Sequence, residues 1–147
     1  MKTIYSLIFI TLLGSPVMAQ DAANGEKLFT QVCTACHTAG SKKEPHHLGP
    51  ALYGVTKRPG RTDEWLISWI SDPEGMVAKK DPLALKLLKE NNNVPMTNML
   101  ANLFSKDAAK INSGAKDILA YLKKVSAGPD PSSTSNSGGG EKKKKKN

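Results

Sequence analysis

The sequence predicts an all-α chain with long loops, and three observations carry that expectation. Apolar residues recur at helical spacing in four separate segments. Side chains able to cap a helix stand at the start of the first three of those segments. No segment alternates apolar and polar residues for long enough to read as a strand.

The elements follow in order. Asp21 to Val32 reads as the first helix, with Asp21 or Asn24 as its cap and Leu28, Val32 and Phe29 on one face. A loop rich in Gly, Pro, His and Lys runs from Thr38 to Gly60. Thr62 or Asp63 caps a second helix whose Trp65, Leu66, Trp69 and Ile70 form a broad apolar stripe. It stops before Asp72-Pro73, because the residue ahead of a proline is pushed out of helical geometry. Met76 then lies in a glycine-containing turn soon after that helix. Asp81-Pro82 starts a third helix with a cap and a proline at its first position, and Leu83, Leu87 and Leu88 supply its apolar side. Asn91-Asn92-Asn93 ends it, and Val94-Pro95-Met96 must be extended around the proline. The last helix carries Ile111, Ile118, Leu119, Leu122 and Val125, with a break allowed at Gly114, where glycine costs about 1 kcal/mol relative to alanine.

Composition sets the outer limits. Residues 1–19 read as an export signal: Lys2, an apolar run from Ile4 to Leu13, a break at Gly14-Ser15-Pro16, and small or tolerated residues up to Ala19 before Gln20. That run is too short to span a membrane, so the mature chain is expected in a periplasm. Residues 20–127 suffice for one small domain. Residues 128–147 read as a disordered Pro/Ser/Gly linker followed by a lysine-rich tail, because neither part can bury enough apolar surface to offset its ordering entropy. The formal charge of +8 is largely a tail effect, since residues 20–140 carry 15 basic and 12 acidic side chains. An exported chain with no aromatic-interleaved basic groove is not expected to bind nucleic acid. With aromatics at 5%, the core is modest, and a covalently attached prosthetic group would help to hold it.

Cys33-Thr34-Ala35-Cys36-His37 has the spacing C-x-x-C-H, the attachment signature for c-type haem. Two thiols three positions apart at a helix end can each add to one porphyrin vinyl group, and the adjacent histidine is then held as the proximal ligand. Three other readings of the cysteines stay open at this point. They are a thioredoxin-like redox pair, which belongs near a βαβ pattern absent here, half of a zinc site, and a structural disulfide. The zinc reading has only the adjacent loop residues His46 and His47 to complete it. For a sixth iron ligand the candidates are Met96, on a loop stiffened by Pro95, then Met99 three residues on, then Met76. A thioether there gives a low-spin electron-transfer site, whereas an open position gives gas binding. The bland role of any one methionine is core packing.

Residues 24–125 resemble the class I c-type cytochromes, small proteins with a single haem and an early CxxCH. The resemblance rests on Gly25-Glu26-Lys27-Leu28-Phe29, Leu48-Gly49-Pro50-Ala51-Leu52-Tyr53-Gly54-Val55, Arg58, Val94-Pro95-Met96 and Ile118-Leu119-Ala120-Tyr121-Leu122. It implies a cytochrome c-like helical domain wrapped around one covalent, thioether-linked haem c. It also implies that the first and last helices cross at Gly25 with Tyr121 packed there, and that the Pro50 carbonyl accepts the His37 ring N–H. Arg58, Trp65 and Tyr53 become candidates for bonding a haem propionate. The chain is longer than the family pattern around residues 104–113, and the lysine tail has no counterpart in it. The function implied is one-electron transfer between redox proteins, with Lys42, Lys43, Lys57, Lys79 and Lys80 steering transient encounters. The lysine tail would add an anionic membrane surface or an acidic partner. A five-coordinate gas sensor, a thiol oxidoreductase, a peroxidase and a dedicated redox subunit of a larger enzyme are the rivals. Known gas-binding four-helix-bundle proteins of c type carry CxxCH near the C-terminus, not at 33–37.

Overall fold

The computed structural model describes residues 20–136, so the export segment and the lysine block lie outside the described residues. The described residues form helices joined by loops, with no strand among them. Helix α1 (Ala22–Leu28) begins where the Asp21 carboxylate accepts from the N–H groups of Ala23 and Asn24, at 2.8 and 3.1 Å. It runs on into a π-helical turn, Phe29–Cys33, which Thr34 N–H closes on the Phe29 carbonyl at 3.2 Å. Such turns collect at functional sites because they re-aim the side chains that follow.

Helix α2 (Asp63–Ser71) starts at Thr62, whose hydroxyl accepts from Trp65 N–H at 3.2 Å. Its end is also a beginning. Asp72 closes α2 and caps α3 (Pro73–Ala78), accepting from Gly75 N–H at 3.0 Å. The expected turn around Met76 is therefore a short helix, because an Asp-Pro pair that stops one helix supplies the cap and first residue of the next. Helix α4 (Pro82–Glu90) starts as the sequence predicts, with Asp81 accepting from Ala84 N–H at 2.8 Å. Asn92 and Asn93 then turn the chain through left-handed geometry, with φ of 56° and 58°.

Two short features absorb the extra length after Met96. Helix α5 (Met99–Leu103) is followed by a tight turn in which Ser105 and Lys106 have φ of 50° and 65°. Helix α6 (Ala108–Ala127) is then unbroken, capped by Asp107. The allowed break at Gly114 does not occur. A Cβ there would sit 2.9 Å from Phe104 Cε2 and 3.3 Å from Leu28 Cδ1, so the glycine makes room for a ring, not for a kink.

Helices α1 and α6 cross at closest range at Gly25, where a Cβ would lie 1.9 Å from the Asp117 carbonyl oxygen. The Asp117 carboxylate ties the crossing, accepting from Asp21 N–H at 2.9 Å and from the Asn24 amide at 2.8 Å. Phe29 and Tyr121 pack with ring centroids 5.3 Å apart. Around them Leu28, Val55, Leu66, Leu100, Ile118, Leu119 and Leu122 make the core. An ion pair between Lys123 and Asp63 joins α6 to α2.

Order continues past residue 127. The Tyr53 hydroxyl donates to the Gly128 carbonyl at 2.8 Å, and Asp130 accepts from the backbone N–H of Ser41 at 3.1 Å and from the Ser41 hydroxyl. A 3-10 turn, Pro131–Asn136, follows. Residues 128–132 thus form a strap bonded to the loop at 41–53. Polar bonds to residues far away in sequence hold it.

Candidate functional site

The turn after α1 presents the C-x-x-C-H residues together. Cys36 N–H and His37 N–H both donate to the Cys33 carbonyl, at 3.1 and 2.9 Å, so the two thiols and the imidazole share one compact bend. Cys33, Cys36 and His37 are all half-buried, and the two sulfurs are not joined to each other. Burial and the neighbouring Cys36 push the Cys33 thiol up to about 12. A redox-active pair of the thioredoxin type needs the opposite shift, toward the thiolate.

His37 is held from the other side by the 48–52 segment. Its Nδ1–H donates to the Pro50 carbonyl at 2.8 Å. Gly49 N–H donates to the Cys36 carbonyl at 2.9 Å, and Leu52 N–H to the Thr38 carbonyl at 2.9 Å. Gly49 lies so close that a Cβ would come within 2.3 Å of His37 Cε1. Burial lowers the imidazole's affinity for a second proton, and nearby His47 and Lys43 lower it further against the opposing Pro50 bond. The ring is therefore neutral near pH 7, with Nδ1 carrying the proton and Nε2 offering a lone pair.

His46 and His47 do not complete a metal site with the cysteines. Their rings meet edge to face at 4.3 Å, and no group of three or more His, Cys, Asp or Glu converges among the described residues.

Met96 lies half-buried in the extended stretch between Asn93 and α5. Met99 is the first residue of α5 and is 39% exposed, while Met76 is on α3. The stretch is fixed at both ends. Upstream, Asn93 N–H donates to the Leu88 carbonyl at 2.9 Å and Val94 N–H to the Asn91 carbonyl at 3.0 Å. Downstream, Asn98 bonds to Asp72 and Glu74 across the chain. Sequence reasoning missed this bridge, as it missed the Gly49 contact.

The three candidates for anionic oxygens differ. The Trp65 side chain has one N–H, on the indole, and it donates to Asp81 at 3.2 Å. Tyr53 has one O–H, and it goes to the strap. Both are bonded to protein acceptors here. The Arg58 guanidinium uses one nitrogen, Nη2, on the Ala51 and Tyr53 carbonyls at 2.9 and 3.2 Å.

The surroundings fit a large apolar group. Leu48 is 62% exposed and Val94 42%, on the two segments that carry His37's support and Met96. Leu83, Leu87 and Leu88 of α4 are half-buried yet outside the main core. A planar macrocycle joined through Cys33 and Cys36 would cover such surface, and His37 Nε2 is the nitrogen donor it needs.

Comparison with known proteins agrees. The sequence matches the family described as Cytochrome c over residues 22–126. It is 29% identical over 128 residues to cytochrome c2 of Blastochloris viridis, covering 86% of this chain and 94% of that one. With cytochrome c of Guizotia abyssinica the identity is 31% over 110 residues, covering 74% and 94%. A solved cytochrome c from Rhodothermus marinus superposes with a TM-score of 0.54 at 32% identity, covering 77% of this chain and 85% of that one. The chain belongs to the cytochrome c family, the small electron carriers with covalently bound haem c.

Proposed function

We propose that this protein is an exported one-electron carrier in which His37 and Met96 would hold the haem iron. The bound haem supplies the one-electron couple. The observation that carries the reading is the His37 arrangement: an imidazole fixed by the Pro50 carbonyl directly after two cysteines on one bend. Cys33 and Cys36 hold the group through thioether bonds. His37 presents Nε2, and the Pro50 bond keeps the ring from turning, so little has to reorganise when charge changes. Met96 is favoured over Met99 because it sits in the fixed extended stretch, whereas Met99 begins a helix and is more exposed. Arg58, Trp65 and Tyr53 are the candidates for bonding a propionate, and Arg58 has guanidinium nitrogens beyond the one bonded to the Ala51 and Tyr53 carbonyls.

Lys42, Lys43, Lys57, Lys79 and Lys80 are exposed. They would attract acidic redox partners and raise the encounter rate more than the affinity. Export rests on residues 1–19 and fits a chain whose only cysteines serve haem attachment. The lysine block at 142–146 would add contact with an anionic membrane or an acidic partner.

An absorption spectrum of the mature protein, oxidised, then reduced, then exposed to CO, tests the reading. Low-spin bands, a weak far-red sulfur-to-iron band in the oxidised form and no response to CO are expected. A high-spin spectrum that changes promptly with CO would replace the carrier by a gas-binding protein.

A further inference from the structure

Asn98 is the residue immediately before α5, the place where an asparagine normally accepts from its own helix's first N–H groups. Here it makes no such bond. Its side chain is turned across the chain to the start of α3 instead. The amide nitrogen donates to Asp72 Oδ1 and to Glu74 Oε2, both at 3.2 Å. Its amide oxygen accepts from Glu74 N–H at 3.3 Å, and Asn98 N–H donates to Glu74 Oε1 at 3.4 Å. Each bond is long, but four of them join the same two short segments, and three use a carboxylate as acceptor. Giving up a local cap for a bridge of this kind calls for a reason beyond starting a five-residue helix.

The reason lies two residues back. Between Val94, tied to Asn91, and Asn98, tied to Asp72 and Glu74, the chain contains only Pro95, Met96 and Thr97. Pro95 has no N–H to contribute. The position of Met96 is therefore set by its two ends. The upstream end is a left-handed asparagine turn, and the downstream end is the Asn98 bridge. Asp72 is itself committed to α3 through Gly75 N–H, so the bridge connects the methionine stretch to a rigid helix start.

We propose that Asn98 is a positioning residue: it holds the 94–98 stretch against Asp72 and Glu74 so that the Met96 sulfur stays seated opposite His37. The inference rests on Met96 as the second axial ligand. Losing the bridge should leave the fold and the His37 side intact while allowing Met96 to leave more often.

The holoprotein is prepared as wild type, Asn98→Ala, Glu74→Ala, the double variant and Met96→Ala. Two quantities are read well below the unfolding temperature: the far-red sulfur-to-iron band of the ferric form, and the affinity for added imidazole, which competes with the methionine. Asn98→Ala should weaken the band and raise imidazole affinity about tenfold, equivalent to about 1.4 kcal/mol. Glu74→Ala, which leaves the amide's bond to Asp72, should act in the same direction but less, and the double variant should add little to Asn98→Ala, because the two substitutions remove overlapping parts of one bridge. A Glu74→Gln variant, which keeps one acceptor oxygen, should fall between. Imidazole affinity and band strength unchanged in Asn98→Ala would overturn the proposal, as would additive effects in the double variant. If Met96→Ala kept the band, both this inference and the ligand assignment would fall. If Met96→Ala lost it while Asn98→Ala was unchanged, only the inference would.

Discussion

The imidazole of His37 shows how little room a single side chain is given. Gly49 stands where any Cβ would overlap His37 Cε1 at 2.3 Å, while its own N–H supports the Cys36 carbonyl. Gly49→Ala should push the ring off the Pro50 carbonyl. The expected cost is about 2 kcal/mol, in the range of overpacking a filled site. Thermal unfolding of the holoprotein should show the loss, and the shift in its reduction potential should exceed that caused by a surface substitution such as Lys86→Ala. The chemistry of C-x-x-C-H was plain in the sequence because spacing alone places two thiols and a nitrogen donor together. The Gly49 contact was not. It depends on how closely two segments approach, and nothing local to residues 48–50 encodes that distance. The bonds of Trp65 and Tyr53 escaped for the same reason, since their acceptors, Asp81 and Gly128, lie in other elements.

At the scale of elements, the caps were readable and the short helices were not. Helices α2 and α4 start at Thr62 and Asp81, where a side-chain oxygen takes an orphan N–H within the segment itself. Helices α3 and α5 are too short to be stable alone and owe their existence to packing and to the Asn98 bridge. Gly114 is a position where two effects compete. Alanine would improve the helix by about 1 kcal/mol. Its Cβ, however, would meet Phe104 at 2.9 Å, and relieving such overpacking typically costs about 1–3 kcal/mol. Gly114→Ala should therefore lower the unfolding temperature slightly, and adding Phe104→Leu should turn the change neutral or favourable. The start of α6 carries a pH dependence. The Lys110 backbone N–H, with help from the Lys110 charge and Ala109 N–H, holds the Asp107 carboxyl below its ordinary value of 3.8. A carboxylate lowered in the folded state contributes stability that is present above that ordinary value and is lost as pH falls through the folded one. Asp107→Asn keeps the capping oxygen but not the titration. Its acid unfolding profile below about pH 4 should be flatter than that of the wild type.

For the molecule as a whole, the dominant contact is the crossing of α1 and α6, and it was legible as a resemblance through Gly25 and Tyr121. Gly25→Ala has no way to relieve a Cβ set 1.9 Å from a backbone oxygen except by parting the helices. A loss of at least about 2 kcal/mol is expected in denaturant unfolding. A second whole-molecule property is charge. If exposed lysines steer encounters, the rate of electron exchange with an acidic partner should fall steeply as salt rises, and a flat profile would remove the steering argument.

The strap changes what the end of the chain can do. Gly128 and Asp130 are fastened to Tyr53 and Ser41, on the loop that follows the C-x-x-C-H bend. A label attached at residue 133 would thus sit on that side of the molecule. If the protein were wired to an electrode through that residue, the clasp would set its orientation. Tyr53→Phe together with Asp130→Ala would release the clasp, and the wired protein would begin to tumble on its lead.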